Sequence, residues 1–156
     1  MLTIKLNRDK VALIDNQDWI LVSQYKWFWN KARRNVYRNK KDKKSSFIHR
    51  LIMNPPNDMD VDHANGNPLD NRRSNLRICT RSQNNCNKAK QCNNTSGYKG
   101  VYWDKKNNKW RAKVSVNKRD YCMGRYKNII DAVKAYNNGA KILHGKFARL
   151  LNAYQK

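Results

Sequence analysis

Residues 60–87 read DVDHANGNPLDNRRSNLRICTRSQNNCN and are dense in polar groups of several kinds. A carboxylate and an imidazole are adjacent at Asp62 and His63. Two amides follow at Asn75 and Asn84, with arginines between them. A base, a hard oxygen ligand and cations in one short segment are typical of a site that acts on phosphate esters.

The same segment predicts a strand, a loop, a second strand and a helix, in that order. Gly66 can supply the unusual backbone angles of the loop. Leu76 and Ile78 are expected on one side of the second strand. The elements are a strand at 61–63, a loop at 64–68, a strand at 76–79 and a helix that Thr80 or Ser82 caps and that runs to about Lys90.

Phosphodiester hydrolysis needs a nucleophilic water, a base for its proton and neutralisation of charge on the phosphate. Asp62 and the Asn84 carbonyl offer the oxygen ligands that Mg²⁺ prefers. His63 must point away from Asp62 on a regular strand, and its ordinary pKa suits a general base. The alternative is that Asp62 and His63 form a polar turn in a chain that is rich in asparagine. The spacing of these residues taken together favours a catalytic metal site.

Taken together, Asp62-His63, Asn75-Leu76-Arg77 and Asn84 resemble the HNH endonuclease motif in its H-N-N form. The segments HRLIMNPP and VDHANGNPLDNRRSNLR are similar to those of phage- and intron-encoded homing endonucleases. The resemblance implies a ββα-metal module. In it, Asp62 and Asn84 bind one divalent ion (Mg²⁺, or another such as Mn²⁺), His63 activates water and Asn75 fixes the loop and holds the histidine. Many relatives have His at the position of Asn84.

The histidine at position 49 is a possible additional participant, with simple packing or a phosphate contact as the alternative. The segment before it, residues 1–50, predicts short antiparallel strands and one or two helical turns that Asp18 can cap. Trp19, Trp27 and Trp29 are expected in the core rather than stacked on bases. The charged loop 39–44 could touch phosphates or be a solvated turn.

The charge balance points to a polyanionic partner. The chain has 156 residues, with 34 Lys and Arg against 11 acids, all of them Asp, and a formal net charge of +23. No apolar run is long enough for a membrane span, so we expect nucleic acid and no membrane. Four arginines of the central segment are predicted DNA contacts: Arg72, Arg73, Arg77 and Arg81.

The four cysteines, Cys79, Cys86, Cys92 and Cys122, show no C-x-x-C spacing, so we expect reduced thiols and no structural zinc. The first ten residues lack the apolar core of a secretory signal. We therefore expect a cytoplasmic chain, in a bacterial host cell if it is phage- or intron-encoded.

A second unit is predicted after a polar linker at 91–97. Three strands (98–103, 109–116 and 121–126) precede a helix that Asn128 caps and Gly145 ends. The motifs of this unit are Tyr98-Lys-Gly-Val101, the strand with Trp110, Gly124-Arg-Tyr126, and Asp131-Ala-Val-Lys-Ala-Tyr136 followed by Leu151-Asn152. They resemble the DNA-binding domain of the APETALA type of plant ethylene-response factors, in which the sheet enters the major groove. The resemblance implies that Lys99, Tyr102, Lys113 and Ser115 face DNA, and Arg111 shares their side of its strand.

The predicted fold is α+β: an HNH nuclease domain with a β-rich extension over 1–90, and a DNA-binding domain over 98–156 made of a three-stranded antiparallel sheet packed on one helix. The predicted function is site-directed cleavage of double-stranded DNA. One metal centre favours nicking by a monomer. The alternatives are a non-cleaving DNA-binding regulator and an RNA-binding structural protein.

Overall fold

The computed structural model of the chain describes residues 1–39, 45–90 and 93–151, which form small antiparallel sheets and short helices. This confirms the mixed α+β class. The chain divides into two compact units, 1–81 and 82–156. Among the described residues, no helix has both the length and the apolar character that a membrane crossing requires.

Unit 1 is built on a core of buried aliphatic side chains contributed by nearly all of its elements. The pairing of its strands is antiparallel throughout, as β1–β2, β3–β4–β5 and β6–β7. Its elements are β1 (Leu2–Lys5), β2 (Val11–Ile14), a 3-10 turn (Asn16–Asp18), α1 (Trp19–Ser23), β3 (Phe28–Asn30), β4 (Asn35–Asn39), β5 (Ser45–Phe47), α2 (Ile48–Met53), β6 (Asp60–His63) and β7 (Leu76–Cys79).

The predicted antiparallel strands and helical turns are present in the described part of residues 1–50. The helix α2 ends where Asn54 takes a left-handed conformation (φ 42°) just before two prolines. Trp27 is buried and its indole nitrogen donates to the Val22 carbonyl at 2.9 Å. Trp19 is exposed, contrary to the core prediction. The charged loop lies outside the described residues beyond Asn39.

The hairpin β6–β7 has the predicted strands, and Gly66 in its loop has a φ of 71°. Its register pairs Asp62 with Arg77 and His63 with Leu76. Leu76 is buried, whereas Ile78 is 37% exposed, so the two residues differ in burial along the strand. The helix α3 (Arg81–Asn87) follows, which confirms the strand–loop–strand–helix order along the chain.

Unit 2 is a three-stranded antiparallel sheet covered by one long helix. Ala112 and Val114 of its central strand are fully buried against Val133 and Tyr136 of that helix, as period-two alternation predicts. Asn128 Oδ1 accepts a hydrogen bond from the Ile130 N–H at 2.8 Å, which confirms the helix cap. Besides α3, the elements are β8 (Val101–Asp104), β9 (Lys109–Val116), β10 (Arg119–Tyr126), α4 (Ile129–His144) and a 3-10 turn (Gly145–Phe147).

The division of the chain into two compact units falls between Arg81 and Ser82, at the start of α3. Of the predicted linker at 91–97, Gln91 and Cys92 lie outside the described residues. The rest is locally ordered, because Asn94 Oδ1 accepts from the Gly97 N–H at 2.9 Å and Ser96 Oγ donates to the Val101 carbonyl at 2.6 Å. The domain boundaries 1–90 and 98–156 stay predictions.

Replacing Gly100 with alanine should destabilise the chain strongly. Gly100 has a φ of +70°, and a Cβ there would overlap the Lys113 carbonyl oxygen and the Tyr136 ring. We expect a loss of about 2–4 kcal/mol in denaturant unfolding, from backbone strain and overpacking together. Gly97→Ala is the matched control: its φ is +84° but no atom lies within 4 Å of its Cβ, so only strain of about 1 kcal/mol should appear. Equal losses in both variants would contradict the close-packing argument.

Candidate active site

The strand β6 presents Asp62 and His63 to different surroundings. Asp62 is buried and accepts hydrogen bonds from the Arg77 guanidinium, while His63 Nε2 lies 3.1 Å from Asn71 Oδ1. Adjacent side chains of a strand point to opposite faces, so this is the arrangement the strand prediction implied. The carboxylate and the imidazole are therefore held independently by different partners.

The loop after β6 is held together largely by its own asparagines. Asn75 Oδ1 accepts from the Asn65 N–H at 2.9 Å, and Asn75 Nδ2 donates to the Asp70 carbonyl at 2.8 Å. Asn65 Nδ2 also donates to Asp70 Oδ2 at 3.0 Å. Asn75 thus bridges the start and the end of the loop, in keeping with the loop-fixing role that the resemblance implied.

Asn71, which no motif in the sequence points to, is a direct partner of His63. Asn71 is fully buried, and its Nδ2 donates to the Pro68 carbonyl at 3.3 Å. This bond fixes which end of the amide faces the ring, so Oδ1 accepts from His63 Nε2. A neutral imidazole has one donor and one acceptor nitrogen, so the lone pair of His63 is on Nδ1.

A distant strand holds Asn71 in place. The Asn71 N–H donates to the Leu13 carbonyl of β2 at 2.9 Å, and the Leu13 N–H donates to the Leu69 carbonyl at 2.8 Å. The only sequence signal for Asn71 was its place among many asparagines of the loop. Its role depends on pairing with a strand nearly sixty residues earlier, which no local pattern reveals.

Burial keeps the site histidines neutral. Desolvation lowers the pKa of His63, although its bond to Asn71 and the charges of Asp62 and Asp70 raise it. The ring of His49 stacks on Phe47 and meets the His63 ring edge-on, with centroids 5.2 Å apart. Burial lowers the pKa of His49 to about 3, and its buried Nδ1 has no hydrogen-bond partner among the described residues. His49 is therefore an apolar wall for His63 at neutral pH.

Asp62 has the chemistry of a ligand for a divalent cation. Its carboxylate is a hard oxygen donor, and Arg77 Nε and Nη2 hold Oδ2 at 2.9 and 2.5 Å. Such an ion takes few protein carboxylates and completes its sphere with water and phosphate oxygens, so the donor types fit. Asn84 lies on α3, within unit 2 from Ser82 onward. In the part of the chain that the structure describes, no three His, Cys or Asp side chains group as a metal cage.

Each of the four arginines predicted to contact DNA is paired with an aspartate of unit 1. Arg73 binds Asp18 through Nε and Nη2 and also donates to the Ile52 carbonyl, so Asp18 serves this pair and makes no side-chain cap on α1. The nitrogen–oxygen distances are 2.7 Å for Arg72–Asp70, 2.7 Å for Arg73–Asp18, 2.5 Å for Arg77–Asp62 and 4.0 Å for Arg81–Asp60.

In unit 2, four of the five predicted DNA contacts lie on the face of the sheet opposite α4. Arg111 and Lys113 each lie 5.8 Å from the centroid of the Tyr102 ring. Arg111 forms no ion pair with any described residue. The face therefore consists of β9 side chains and their strand neighbours: Tyr102, Arg111, Lys113 and Ser115.

Lys99, the fifth predicted DNA contact, is engaged within unit 2. Its Nζ donates to the carbonyl oxygens of Cys86 and Lys88, at the C-terminal end of α3, at 2.7 and 2.8 Å. Desolvation lowers the pKa of this amine. Cations are favoured at helix C-termini, so Lys99 caps the C-terminal end of α3.

The remaining residues of chemical interest have structural surroundings. Burial raises the pKa of the Cys79 thiol to about 11 and also raises that of Cys86, and both are free cysteines. Cys92 lies outside the described residues. His144 is buried, with Nε2 3.2 Å from the Ser115 carbonyl oxygen.

Truncating Arg73 should cost stability that truncating Arg81 does not. Arg73→Ala leaves Asp18, whose side chain is 3% exposed, without its main partner. We expect a loss of about 2–3 kcal/mol, below the full range for a buried pair because Arg73 is itself 43% exposed. Arg81→Ala, with a side chain 82% exposed, should change the unfolding free energy by less than about 0.5 kcal/mol. Similar values in urea unfolding would show that the Asp18 pair does not hold unit 1.

Acidification should destabilise the chain partly through His49. Its pKa is about 3 when folded and about 6.5 when unfolded, so below pH 6.5 the unfolded state binds a proton that the folded state excludes. The contribution is fully present above pH 6.5 and falls by about 1.4 kcal/mol per pH unit, to a total of about 2 kcal/mol at pH 5. His49→Phe keeps an aromatic ring and should remove this share of the slope. Parallel stability–pH curves for the wild type and the variant would contradict it.

Comparisons with known proteins identify a family. A family model described as HNH endonuclease matches residues 47–86, which include the paired strands β6 and β7 and most of α3. An uncharacterized HNH endonuclease of Acanthamoeba polyphaga mimivirus is 35% identical over 140 residues, covering 88% of this chain and 72% of that protein. Protein 3.8 of Escherichia phage T7 is 34% identical over 89 residues, covering 57% of this chain and 73% of that protein.

No solved structure matches the chain significantly. The similarity to the mimivirus protein extends well beyond the segment that the family model matches, across both units. Together with the hairpin that carries Asp62 and His63, it confirms the resemblance noted in the sequence: the chain belongs to the HNH endonuclease family.

Proposed function

We propose that the chain is a site-directed DNA endonuclease of the homing type that hydrolyses one phosphodiester of double-stranded DNA at a time. Membership of the HNH endonuclease family supports DNA as the substrate. The observation that carries the proposal is the orientation of His63, a neutral imidazole whose Nε2 is bound by a buried amide and whose neighbour is the Asp62 carboxylate.

The H-N-N assignment gives each residue a role. Asp62 and Asn84 would hold one divalent ion, Mg²⁺ or another such as Mn²⁺, which when bound supplies positive charge beside the scissile phosphate. Arg77 keeps the Asp62 carboxylate in one orientation through two hydrogen bonds. Asn75 braces the loop, and Asn71 orients the base.

The step assigned to His63 is proton transfer. Its Nδ1 takes a proton from the attacking water as the water oxygen bonds to phosphorus and the bond to the leaving oxygen breaks. The proton that Nε2 already carries stays bonded to Asn71 Oδ1, so the resulting imidazolium keeps a hydrogen-bond acceptor. A base placed in this way contributes about 10²–10⁴-fold to the rate.

DNA is held, in this proposal, by cations of both units. Arg81 of unit 1 has a side chain that is 82% exposed and can reach phosphates, whereas Arg72, Arg73 and Arg77 are each bound to a buried aspartate. The basic face of the unit 2 sheet grips the duplex, as its APETALA-like pattern implies. Affinity should be strongly salt-dependent, with log K falling by about 0.9 per neutralised phosphate for each tenfold rise in salt.

Two other functions remain alternatives with their own tests. A non-cleaving DNA-binding regulator would bind duplex DNA but leave it intact with any divalent metal. An RNA-binding structural protein would prefer single-stranded RNA over duplex DNA at fixed salt, since single-stranded bases are what proteins read in RNA. A single site per monomer, acting in the cytoplasm of a bacterial host, is the setting that we propose for the nuclease.

Replacing His63 should slow nicking strongly without unfolding the chain. On supercoiled plasmid with Mg²⁺ or Mn²⁺, we expect the wild type to produce open circles and His63→Ala to be slower by about 10²–10⁴-fold. His144→Gln, a histidine substitution in unit 2 with a donor for the Ser115 carbonyl, is the control and should nick at the wild-type rate. Circular dichroism checks the fold of both variants. Equal nicking by wild type and His63→Ala, or none by either, would defeat the nuclease proposal.

A further inference from the structure

The basic sheet face of unit 2 contains an exposed carboxylate. The whole chain has 11 acidic residues, and two of the three in unit 2, Asp104 and Asp120, belong to this sheet. On a surface that attracts phosphates, a carboxylate opposes binding unless it does something specific. The two aspartates differ in their surroundings, and the difference indicates what each of them does.

Asp104 is a structural residue of the β8–β9 turn. Its Oδ2 accepts from Arg125 Nε at 2.8 Å and from Asn107 Nδ2 at 2.9 Å, and its side chain is only 13% exposed. These bonds lower the pKa of Asp104 to about 2. The carboxylate is covered by the groups that it binds, so it offers little to a ligand.

Asp120 is oriented but accessible. Lys113 Nζ donates to Oδ2 at 2.8 Å and Ser115 Oγ donates to Oδ1 at 2.5 Å, yet the side chain is 52% exposed. Ser115 is the direct cross-strand partner of Asp120, and Lys113 lies diagonally from it on the same face. A carboxylate has about four acceptor positions, so two such bonds leave each oxygen able to accept another.

The ligand chemistry follows from what a carboxylate can do in a DNA groove. It cannot bind phosphate oxygens, and in the major groove the only base donors are the amines of cytosine and adenine. Beside the adenine amine lies N7, an acceptor that a carboxylate repels. Cytosine N4 is therefore the matching donor, and Arg111 on the same face can serve a neighbouring guanine.

We propose that Asp120 is a specificity-determining residue that accepts a hydrogen bond from a cytosine amine in the target site. Lys113 and Ser115 fix the carboxylate for this contact. The inference rests on the proposed function of the sheet as a DNA-binding face, and it specifies one base of the target site that the sheet would recognise.

The test is selection from a randomised duplex library with the full chain, in a His63→Ala background so that bound DNA is not cut. The parent should enrich cytosine at one position. Asp120→Ala should lose that preference, with a change of about 5-fold or more in relative affinity for the cytosine site, while binding other sequences more tightly. Asp120→Asn should shift the preference toward adenine, whose N6 and N7 suit an amide.

Asp104→Asn is the matched control, since it removes a carboxylate from the same sheet and should keep the cytosine preference. Unchanged base preferences in both Asp120 variants would overturn the inference. Arg111→Ala distinguishes failure of the inference about Asp120 from failure of the sheet as a DNA-binding face. If it weakens binding while Asp120 variants keep the parent preferences, only the inference fails. If it has no effect on DNA affinity, the sheet is not a DNA-binding face and the proposed function fails there too.

Discussion

The hydrogen bond between Asn71 and His63 is the interaction on which the site depends. It fixes which nitrogen of the ring carries the proton, and it depends in turn on the Pro68 carbonyl and on the Leu13 carbonyl of β2. A turn-rich loop would otherwise leave an amide and an imidazole free to reorient. The strand β2, which lies far from the motif in sequence, therefore contributes to the chemistry by holding the loop in place through Leu13.

The arginines of the central segment are also held by specific partners. Lys and Arg outnumber acids 34 to 11, yet the arginines nearest the motif are each paired with an aspartate. These pairs use aspartate, which is scarce in this chain. The paired aspartates lie in the loop after β6, at the start of α1 and on β6. Because like charges repel, an arginine-rich segment packs into a small unit only when such partners accompany it.

Local patterns carried most of the secondary structure and the motif. Alternation in β9, the Asn128 cap and the prolines after Asn54 act over a few residues, so the sequence predicts them well. The bond of Asn71 to Leu13, the pairing of Arg73 with Asp18 and the contact of Lys99 with the end of α3 each join residues more than ten positions apart. No periodicity encodes such contacts. The role of an arginine or a lysine is thus harder to predict from sequence than the position of a strand. The reason is that its side chain can donate hydrogen bonds to acceptors in many parts of the fold.

A strongly basic nuclease faces a conflict between holding DNA and choosing a sequence. Phosphate contacts are the same at every position, so cations raise affinity everywhere and discrimination nowhere. Discrimination requires groups that are favourable at one base and unfavourable elsewhere, and a carboxylate among cations has this property because phosphates repel it. On the unit 2 sheet, Asp104 is covered by its own partners while Asp120 is held open to solvent by Lys113 and Ser115. That asymmetry between two aspartates of one small sheet is what a surface selected only for affinity would lack.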